Sequence, residues 1–428
     1  MSTWTQALAR LSLTLALSAA LGACSASTPI ARVFPVCSWA FESNGRGITN
    51  IATPDTHATY WVMPFDTQAW KEMAIRGTYP QARFFNFDTY TDRGLVTGTI
   101  VDKDILPDPG STNPFATIAV DGTQNYSVTI SASEPAAPNW LQITGSRLAF
   151  VVYRLYLPDQ GRDATGGAGL PAVSVVAPDG AVRQLQPCPF TNAETRVPEL
   201  ISVLAASGFL DAASYLQEIL TLARQSPSTD ILCNPNQPNP VEVPFPPATL
   251  GANFFTNPQT TYLETPGFCF QPGKILVIRG KAPVFPDTYP GGSVFQPAFD
   301  GQIQLRYWSM CNNVRVIPYP VVGCLADFET QRDQSQFYTY VVSNDPGPPS
   351  WLPAGANWIP WGPTSLPQNL IFRNVLPGNF APTGDFVPRG VFCDQAVFIN
   401  GGATACFAAA LPAAERERSR GPVAARDN

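Results

Sequence analysis

Residues 133–141 of this chain read Ser-Glu-Pro-Ala-Ala-Pro-Asn-Trp-Leu, and residues 344–352 read Asn-Asp-Pro-Gly-Pro-Pro-Ser-Trp-Leu. An acidic residue, two prolines, a tryptophan and a leucine fall at the same spacing in both stretches. Four more blocks recur in the same order around them, beginning at Ile75 and Ile278, Ala82 and Leu305, Gly98 and Gly323, and Val152 and Ile371. Long blocks repeated once in a constant order predict a duplicated domain and not a solenoid of short repeats.

The composition predicts a mostly β fold. The 428 residues include 44 prolines and 32 glycines, and 45% of the chain is hydrophobic against 14% charged. This balance is typical of a chain that folds, with turn residues between short aromatic and β-branched runs. We therefore expect two tandem jelly-roll-like β-sandwich domains. The expected strands cover residues 59–65, 82–90, 126–131, 148–157 and 172–176, and then 274–278, 302–310, 337–342, 370–375 and 395–399, with a hairpin turn at Asn400-Gly401.

The expected domain boundaries follow from the repeats. The first sandwich covers residues 33–190 and the second covers residues 251–407. Residues 191–250 between them combine a short helical hairpin, with its leucines and isoleucines on one face, and a Pro-rich linker. We expect the hairpin to cover a sheet face, and a membrane-binding or partner-binding helix pair is the alternative. Residues 408–428 alternate charged residues with Ala and Pro and predict a disordered tail.

The amino-terminal segment, residues 1–23, predicts export. An apolar run follows Arg10 and ends in Leu-Gly-Ala, immediately before Cys24. Such a segment is typical of a signal peptide and is too short to remain as a membrane span. Cys24 after Leu-Gly-Ala matches the bacterial lipobox, whose cysteine receives acyl chains that anchor the mature protein. We therefore expect a lipid-anchored, extracytoplasmic protein of the bacterial cell envelope, with an ordinary secreted protein as the alternative.

The eight remaining cysteines predict disulfides in an oxidising compartment. Their number is even, and no Cys-x-x-Cys spacing suggests a metal site. Eight cysteines allow about 105 pairings, so the sequence alone leaves the connectivity open. The pairs that we favour are Cys311–Cys324 and Cys393–Cys406 across expected hairpins, Cys37–Cys188 at the ends of the first domain, and Cys233–Cys269 between the linker and the second domain.

Two segments of the first domain carry a resemblance to a known family. Residues 138–141, Pro-Asn-Trp-Leu, and residues 154–158, Arg-Leu-Tyr-Leu-Pro, resemble an uncharacterised bacterial family. That domain of unknown function has an Asn-Trp-Leu-Pro segment before an Arg-x-Tyr-x-Pro strand. The second domain departs from the pattern, because Ser350 stands in place of Asn and Asn-Val follows Arg373. The resemblance implies a jelly-roll-like β-sandwich and brings no established activity or catalytic residue.

Several kinds of chemistry are excluded by residue counts. The chain has a single histidine, His57, so a metal site with two imidazoles is excluded, and a Ser-His-Asp or Cys-His site would have to use His57. Oxidised cysteines supply no thiolate nucleophile. The net charge of −6, without a basic run before the tail, argues against nucleic acid as a partner. We expect no metal ion and no cofactor.

The repeated arginines are candidates for either a structural or a ligand-binding role. Arg83 and Arg306 occupy equivalent places in two expected strands, and Asp102 and Asp327 recur behind them. A buried guanidinium needs carboxylate or carbonyl oxygens to accept its hydrogen bonds. We expect one Arg–carboxylate ion pair inside each domain. The alternative is a site in which Arg83 and Arg306 bind an anion or a sugar.

Two tryptophans favour a binding role. Trp358 and Trp361 lie in a loop held by prolines, and we expect no counterpart for them in the first domain. Exposed indoles stack on sugar rings or on peptides with little loss of entropy. The sequence therefore predicts a non-catalytic binding or structural protein, with a glycan or another envelope component as its ligand.

Paired carboxylates favour a second function, a carbohydrate-active hydrolase. Asp102 and Asp104 are two residues apart, and so are Asp327 and Glu329. On a strand, such residues point to the same face and could act together as the acid and base of a glycosidase. Burial of these carboxylates against arginines would remove this hypothesis.

Overall fold

The structure, a computed structural model, describes residues 35, 37–46, 50, 52–92, 94–117, 122–144, 147–188, 233, 240–248, 255–292, 303–316 and 319–411. All of them belong to one compact unit, residues 34–428. The expected signal peptide with Cys24, the helical hairpin and the chain after Leu411 lie outside the described residues, so those expectations stay predictions.

The first half of the described chain, residues 37–188, forms two five-stranded sheets. Its strands are β1 (Phe41–Ser43), β2 (Ala58–Asp66), β3 (Glu72–Thr78), β4 (Ala82–Thr91), β5 (Val96–Val101), β6 (Asn125–Ser131), β7 (Trp140–Gln142), β8 (Leu148–Pro158), β9 (Ala172–Val176) and β10 (Val182–Leu185). One sheet has the strand order β1-β2-β8-β4-β5 and the other β10-β9-β3-β6-β7. These neighbours are antiparallel, apart from the parallel pair β6 and β7.

Strands β4 and β8 are buried on both faces. In β4, the rings of Phe85 and Phe87 point into the core between the two sheets of the first half, whereas Phe84 points away from it. Successive side chains of a strand point to opposite faces, so a strand of this composition needs a second layer over its outer face. The second half of the chain supplies that layer.

The second half, residues 240–411, repeats this arrangement. Its elements are β11 (Glu242–Pro244), β12 (Thr260–Glu264), β13 (Lys274–Lys281), β14 (Tyr307–Val314), β15 (Val321–Ala326), β16 (Phe337–Ser343), β17 (Asn357–Pro360), β18 (Gln368–Val375), β19 (Arg389–Asp394) and the helix α1 (Gln395–Ala410). The order β12-β18-β14-β15 matches β2-β8-β4-β5, and β19-β13-β16-β17 matches β9-β3-β6-β7. The predicted mostly β, sandwich-like fold is confirmed.

The structure corrects the register of the repeat around its tryptophans. The side-chain amide of Asn139 makes three hydrogen bonds to backbone groups, and that of Asn357 makes the same three. Trp140 and Trp358 follow these residues, and each donates its indole N–H to a serine at the end of the neighbouring strand. Trp140 therefore corresponds to Trp358, and the expected match with Trp351 is wrong.

The last expected strand of the second half is a helix. Residues 395–399 and the expected turn at Asn400-Gly401 belong to α1, which a positive φ at Gly402 kinks. The alanines that follow favour helix and outweigh the β-prone Val and Phe at its start. Trp351 packs edge-to-face on Phe398 of this helix, with 6.2 Å between the ring centroids. The strand expected at 302–310 is displaced as well, since β14 begins at Tyr307.

All four disulfides join the expected cysteines. The pairs are Cys37–Cys188, Cys233–Cys269, Cys311–Cys324 and Cys393–Cys406. The last of them links β19 to α1 and does not span a hairpin, because its second cysteine lies on the helix. These disulfides indicate an oxidising, extracytoplasmic compartment. Within the described residues, no helix has the length and apolarity that crossing a bilayer needs.

The disulfides close loops of very different length, which predicts unequal contributions to stability. Cys37 and Cys188 are 151 residues apart, whereas Cys311 and Cys324 are 13 apart. Because the longer loop loses more entropy when it is closed in the unfolded chain, we expect Cys37→Ala with Cys188→Ala to cost about 5 kcal/mol and Cys311→Ala with Cys324→Ala about 3 kcal/mol. Denaturant unfolding of both double variants measures this order, and the reverse order would contradict it.

Candidate functional site

The outer face of the sheet that contains β4 packs on the outer face of the sheet that contains β14. We call this contact the inter-half interface. Its apolar part comes from both halves and includes Phe84, Tyr156, Tyr307 and Val375. The rings of Tyr156 and Tyr307 meet with 5.5 Å between their centroids. The charged side chains that the sequence singled out lie at and around this interface.

Arg83 crosses the inter-half interface and ends among groups of the second half. Its Nη1 donates to both carboxylate oxygens of Asp327, at 3.1 and 3.0 Å, and its Nε donates to the hydroxyl of Thr288 at 2.6 Å. Arg83 and Asp327 are both completely buried. Burial raises the pKa of Asp327 to about 6, against the opposing effect of Arg83, so the carboxyl is ionised at neutral pH.

Arg306 makes the same crossing in the opposite direction. Its Nη1 donates to Asp102 Oδ2 at 3.2 Å and to the carbonyl oxygen of Arg83 at 3.2 Å. In return, Nη1 of Arg83 donates to the carbonyl oxygen of Arg306 at 3.5 Å. Each half therefore gives an arginine to the other and receives one, in a pseudo-symmetric exchange.

Arg83 and Arg306 therefore do not pair inside their own halves as expected, although Arg154 does form a buried ion pair with Asp88 of its own half, and the reason for the exchange lies in the backbone. Asp102 accepts hydrogen bonds from the backbone N–H of Phe85 at 3.1 Å and of Lys103 at 2.6 Å in its own half. Asp327 likewise accepts from the N–H of Trp308 at 3.1 Å. These bonds fasten each carboxylate to its own half, and the guanidinium that neutralises its charge comes from the other half.

A second pair of arginines crosses the inter-half interface farther from its centre. Arg154 on β8 donates to the carbonyl oxygen of Phe255 at 2.8 Å, in the segment before β12. Arg373, which takes the equivalent place on β18, donates to the carbonyl oxygen of Thr53, in the segment before β2. The segments that lead into β2 and β12 therefore each accept a hydrogen bond from an arginine of the other half.

The single histidine also joins the two halves. Nε2 of His57 lies 2.9 Å from Oε2 of Glu329 in the second half, and its Nδ1 lies 3.6 Å from Oδ1 of Asp55. Asp55 is completely buried and accepts hydrogen bonds from the hydroxyls of Tyr307 at 2.9 Å and Ser309 at 2.6 Å. His57 is therefore held between two carboxylates at the rim of the interface.

The charge of this cluster follows from its contacts. Burial alone would lower the pKa of His57, but the hydrogen bonds and charges of Asp55 and Glu329 outweigh it and raise the pKa to about 10. The protonated imidazole in turn lowers the pKa of Glu329 against the effect of burial. His57 is consequently a cation at neutral pH, which makes it an ion-pair partner and a poor general base.

Sequence reasoning missed this cluster, although one signal of it is present. Residues 55–60, Asp-Thr-His-Ala-Thr-Tyr, recur as residues 257–262, Asn-Pro-Gln-Thr-Thr-Tyr. The carbonyl oxygens of His57 and Gln259 accept equivalent backbone hydrogen bonds, from the N–H of Leu157 near the end of β8 and of Leu376 just after β18. The neutral Asn and Gln of the second copy show that only one end of the interface carries the His–carboxylate cluster.

The carboxylates proposed for hydrolysis do not form an acid–base pair. Asp102 and Asp104 lie in a 3₁₀ helix that follows β5 and not on a strand, with Asp102 buried against Arg306 and Asp104 exposed beside Lys103. The corresponding carboxylates of the second half also have separate partners: Asp327 forms an ion pair with Arg83, and Glu329 forms one with His57. The structure therefore contradicts the geometry on which the hydrolase hypothesis depended.

Among the described residues, one group has the spacing of a metal site, but its chemistry does not suit a metal ion. Asp55 lies within 4.8 Å of the sulfur atoms of Cys311 and Cys324. Those two sulfurs form a disulfide with each other, so they are not thiolates that could bind a cation.

The structure separates the two tryptophans that were expected to bind a ligand. Trp358 is half-buried on β17, where its Nε1 donates to the hydroxyl of Ser343 at 3.0 Å. Trp361 is only 6% exposed and packs in the core of the second half against Phe268, with 5.4 Å between the ring centroids. Trp361, Arg83 and Arg306 are therefore out of reach of a ligand in solution.

An open cavity lies at one end of the first sandwich. Its volume is about 370 Å³. The turn between β2 and β3 supplies Trp70 and Lys71, the first residue of β3 is the lining residue Glu72, and the segment after β6 supplies Ser133 and Pro135. Nothing in the sequence pattern indicated this cavity.

The overall fold is similar to that of solved structures. One is an uncharacterised protein from Burkholderia cenocepacia, with a TM-score of 0.53 and 16% identity over 84% of this chain and 83% of that protein. Another is the VPA0106 protein from Vibrio parahaemolyticus, with a TM-score of 0.38 and 11% identity over 79% of this chain and 89% of that protein. No family model and no curated protein matches the chain. The first likeness shows the fold alone.

Breaking one of the exchanged ion pairs should lower the free energy of unfolding much more than breaking an exposed ion pair. Arg83→Met leaves Asp327 as a buried, unpaired carboxylate and should lower the free energy of unfolding by about 3–5 kcal/mol. Adding Asp327→Leu removes that charge and should recover much of the loss. The matched control is Arg279→Met, which breaks an exposed pair with Asp333 and should cost about 0–1 kcal/mol. Denaturant unfolding of these three variants and of Asp327→Leu alone measures the coupling, and additive effects of the two interface substitutions would contradict it.

The His57 cluster predicts a fall in stability at alkaline pH. Because the pKa of His57 is raised from 6.5 to about 10, its contribution is fully present below pH 6.5 and is lost as the pH rises through about 10. Between those values the folded chain holds one proton more than the unfolded chain, so the free energy of unfolding should fall by about 1.4 kcal/mol per pH unit. His57→Gln should remove this slope, whereas Gln259→Asn at the equivalent position should keep it. An unchanged slope in His57→Gln would show that another group titrates.

Proposed function

We propose that this chain is a lipid-anchored, extracytoplasmic protein of the bacterial cell envelope with a non-catalytic binding or structural role. The proposal is supported by the contacts that the candidate acid–base residues make. His57, Asp102, Asp327 and Glu329 all form contacts that join the two halves. These four candidates for acid–base chemistry therefore contribute to the stability of the compact unit.

The ligand that we propose is another envelope component and not a glycan. The glycan hypothesis depended on two neighbouring exposed indoles, and Trp361 lies in the core. Half-buried Trp358 remains, but its N–H already has an acceptor in Ser343. A protein partner is favoured by the rigid, disulfide-bonded scaffold, because a preorganised surface loses little entropy when it binds.

The anchor is supported by the sequence before the described residues. Cys24 follows Leu-Gly-Ala in a lipobox pattern, and the four disulfides agree with export. Acylated Cys24 would hold the sandwich at a membrane surface through the segment that leads to Cys37. Several acyl chains give stable anchoring, since each buried methylene contributes about 0.8 kcal/mol.

Metabolic labelling with a radioactive fatty acid tests the anchor. We expect the full-length precursor, expressed in a bacterium, to yield a labelled protein in the membrane fraction. Cys24→Ser should lose the label and leave the membrane fraction, because the acyl acceptor is gone, whereas the neighbouring Ser25→Ala should keep both. Unlabelled wild-type protein would overturn the anchored form of the proposal. Sugar release from isolated cell walls that Asp104→Asn abolishes would overturn the non-catalytic role.

A further inference from the structure

The disulfide Cys311–Cys324 lies where the first half has an ion-paired carboxylate. Cys311 is directly opposite Cys324 in the pairing of β14 with β15, and Asp88 is opposite Thr99 in the equivalent pairing of β4 with β5. Asp88 forms a buried ion pair with Arg154 and a hydrogen bond with Thr99. The first half therefore builds the same two strands without a disulfide, which shows that this fold does not require one here.

The arginine beside the disulfide has lost one of its partners. Nη2 of Arg154 donates to the carbonyl oxygen of Phe255, and Nη2 of Arg373 makes the equivalent bond. Its acceptor is the carbonyl oxygen of Thr53. Nη1 of Arg154 donates to Asp88, whereas Nη1 of Arg373 is buried and finds no acceptor among the described residues. The donor is left unused because a sulfur atom in a disulfide carries no charge, unlike the carboxylate that it replaces.

The two sulfur atoms have different surroundings. Cys311 is completely buried, whereas Cys324 is half-buried on β15, the last strand in the order of its sheet. Sγ of Cys324 accepts a hydrogen bond from the backbone N–H of Thr56 at 3.4 Å. Asp55 lies within 4.8 Å of both sulfurs, and its negative charge opposes a thiolate, but it is itself paired with His57. A nucleophile from the solvent therefore meets Cys324 first, which makes Cys311 the leaving group.

We propose that Cys311–Cys324 is a site of reversible thiol–disulfide exchange with a dithiol, in which the Cys311 thiolate pairs with Arg373. One thiolate of the dithiol attacks Sγ of Cys324, and the electron pair of the broken S–S bond leaves on Sγ of Cys311. The second thiol of the reagent then displaces Cys324 and closes the reagent into a disulfide. The protein gains two electrons and one proton, which stays on Cys324, and the other proton goes to the solvent.

This exchange goes beyond the proposed envelope role and does not depend on it. The reduced chain has an anion at position 311, where the first half has Asp88, and so supplies the acceptor that Nη1 of Arg373 lacks. An adjacent arginine favours the thiolate and therefore the reduced state. The same step alters residues 53–57, because Arg373 holds Thr53 and the N–H of Thr56 bonds to Cys324. Reduction is therefore coupled to the rim of the inter-half interface, where His57 lies.

Redox equilibration of the full chain carrying Cys24→Ser tests the site. The folded chain is incubated with graded ratios of reduced to oxidised dithiothreitol at neutral pH, alkylated and analysed by peptide mass spectrometry. We expect Cys311 and Cys324 to be alkylated at ratios that leave Cys393–Cys406 oxidised. That pair is the matched control, because its cysteines are also 13 residues apart but are both buried. Cys311–Cys324 that opens only together with Cys393–Cys406, or not at all, overturns the site.

A pair of double variants tests the counter-ion without any reductant. Cys311→Asp with Cys324→Thr installs beside Arg373 the two residues that the first half has, whereas Cys311→Asn with Cys324→Thr has the same shape without the charge. We expect the Asp variant to have the smaller unfolding equilibrium constant, by about tenfold, because its carboxylate forms a charge-assisted hydrogen bond. An Asp variant less stable than the Asn variant overturns the ion pair, since a buried anion without a counter-ion is destabilising.

Two further measurements follow reduction itself. Arg373→Gln should lower the equilibrium constant for reduction of Cys311–Cys324 about tenfold, whereas Arg279→Gln, at an exposed arginine, should leave it unchanged. An equal constant in Arg373→Gln overturns the ion pair, and the double variants decide the matter if this variant does not fold. In the unsubstituted interface, the imidazole NMR signals of His57 should shift on reduction and return on reoxidation. Unchanged signals overturn the coupling to the inter-half interface.

Discussion

The exchange of two guanidinium groups between the halves is the interaction on which the rest of the structure depends. Arg83 and Arg306 each enter the opposite half and meet a carboxylate that is already bound to its own backbone. A half folded alone would bury a carboxylate without a counter-ion, or expose the apolar outer face of its central strands. The two sandwiches are therefore complete only together, which agrees with their belonging to one compact unit.

The two halves differ where this exchange does not constrain them. His57 and Glu329 form an ion pair at one end of the inter-half interface, whereas neutral Gln259 stands at the equivalent place at the other. Trp361 lies in the core of the second half, whereas the smaller Ile143 takes the equivalent place in the core of the first half. Because the central strands and their arginines join the two halves, the ends of each half can carry different side chains.

Strand periodicity and cysteine position could be predicted from the sequence with good accuracy. The expected runs at 82–90 and 172–176 correspond to β4 and β9 within one residue, because aromatic and β-branched residues lie between turn residues there. The helix at Gln395–Ala410 was missed, since its first residues are β-prone and only the alanines behind them favour helix. The match of Trp140 with Trp351 failed because spacing of prolines is weaker evidence than the hydrogen bonds of Asn139 and Asn357.

The sequence by itself determined the class of fold and the oxidising compartment, because these follow from periodicity, residue type and an even number of cysteines, and it favoured the cysteine pairs that the structure contains. Only the tertiary structure decided which carboxylate neutralises which arginine. Asp102 is close to Arg83 along the chain, yet it binds Arg306, since its oxygens are oriented by local backbone N–H groups toward the other half.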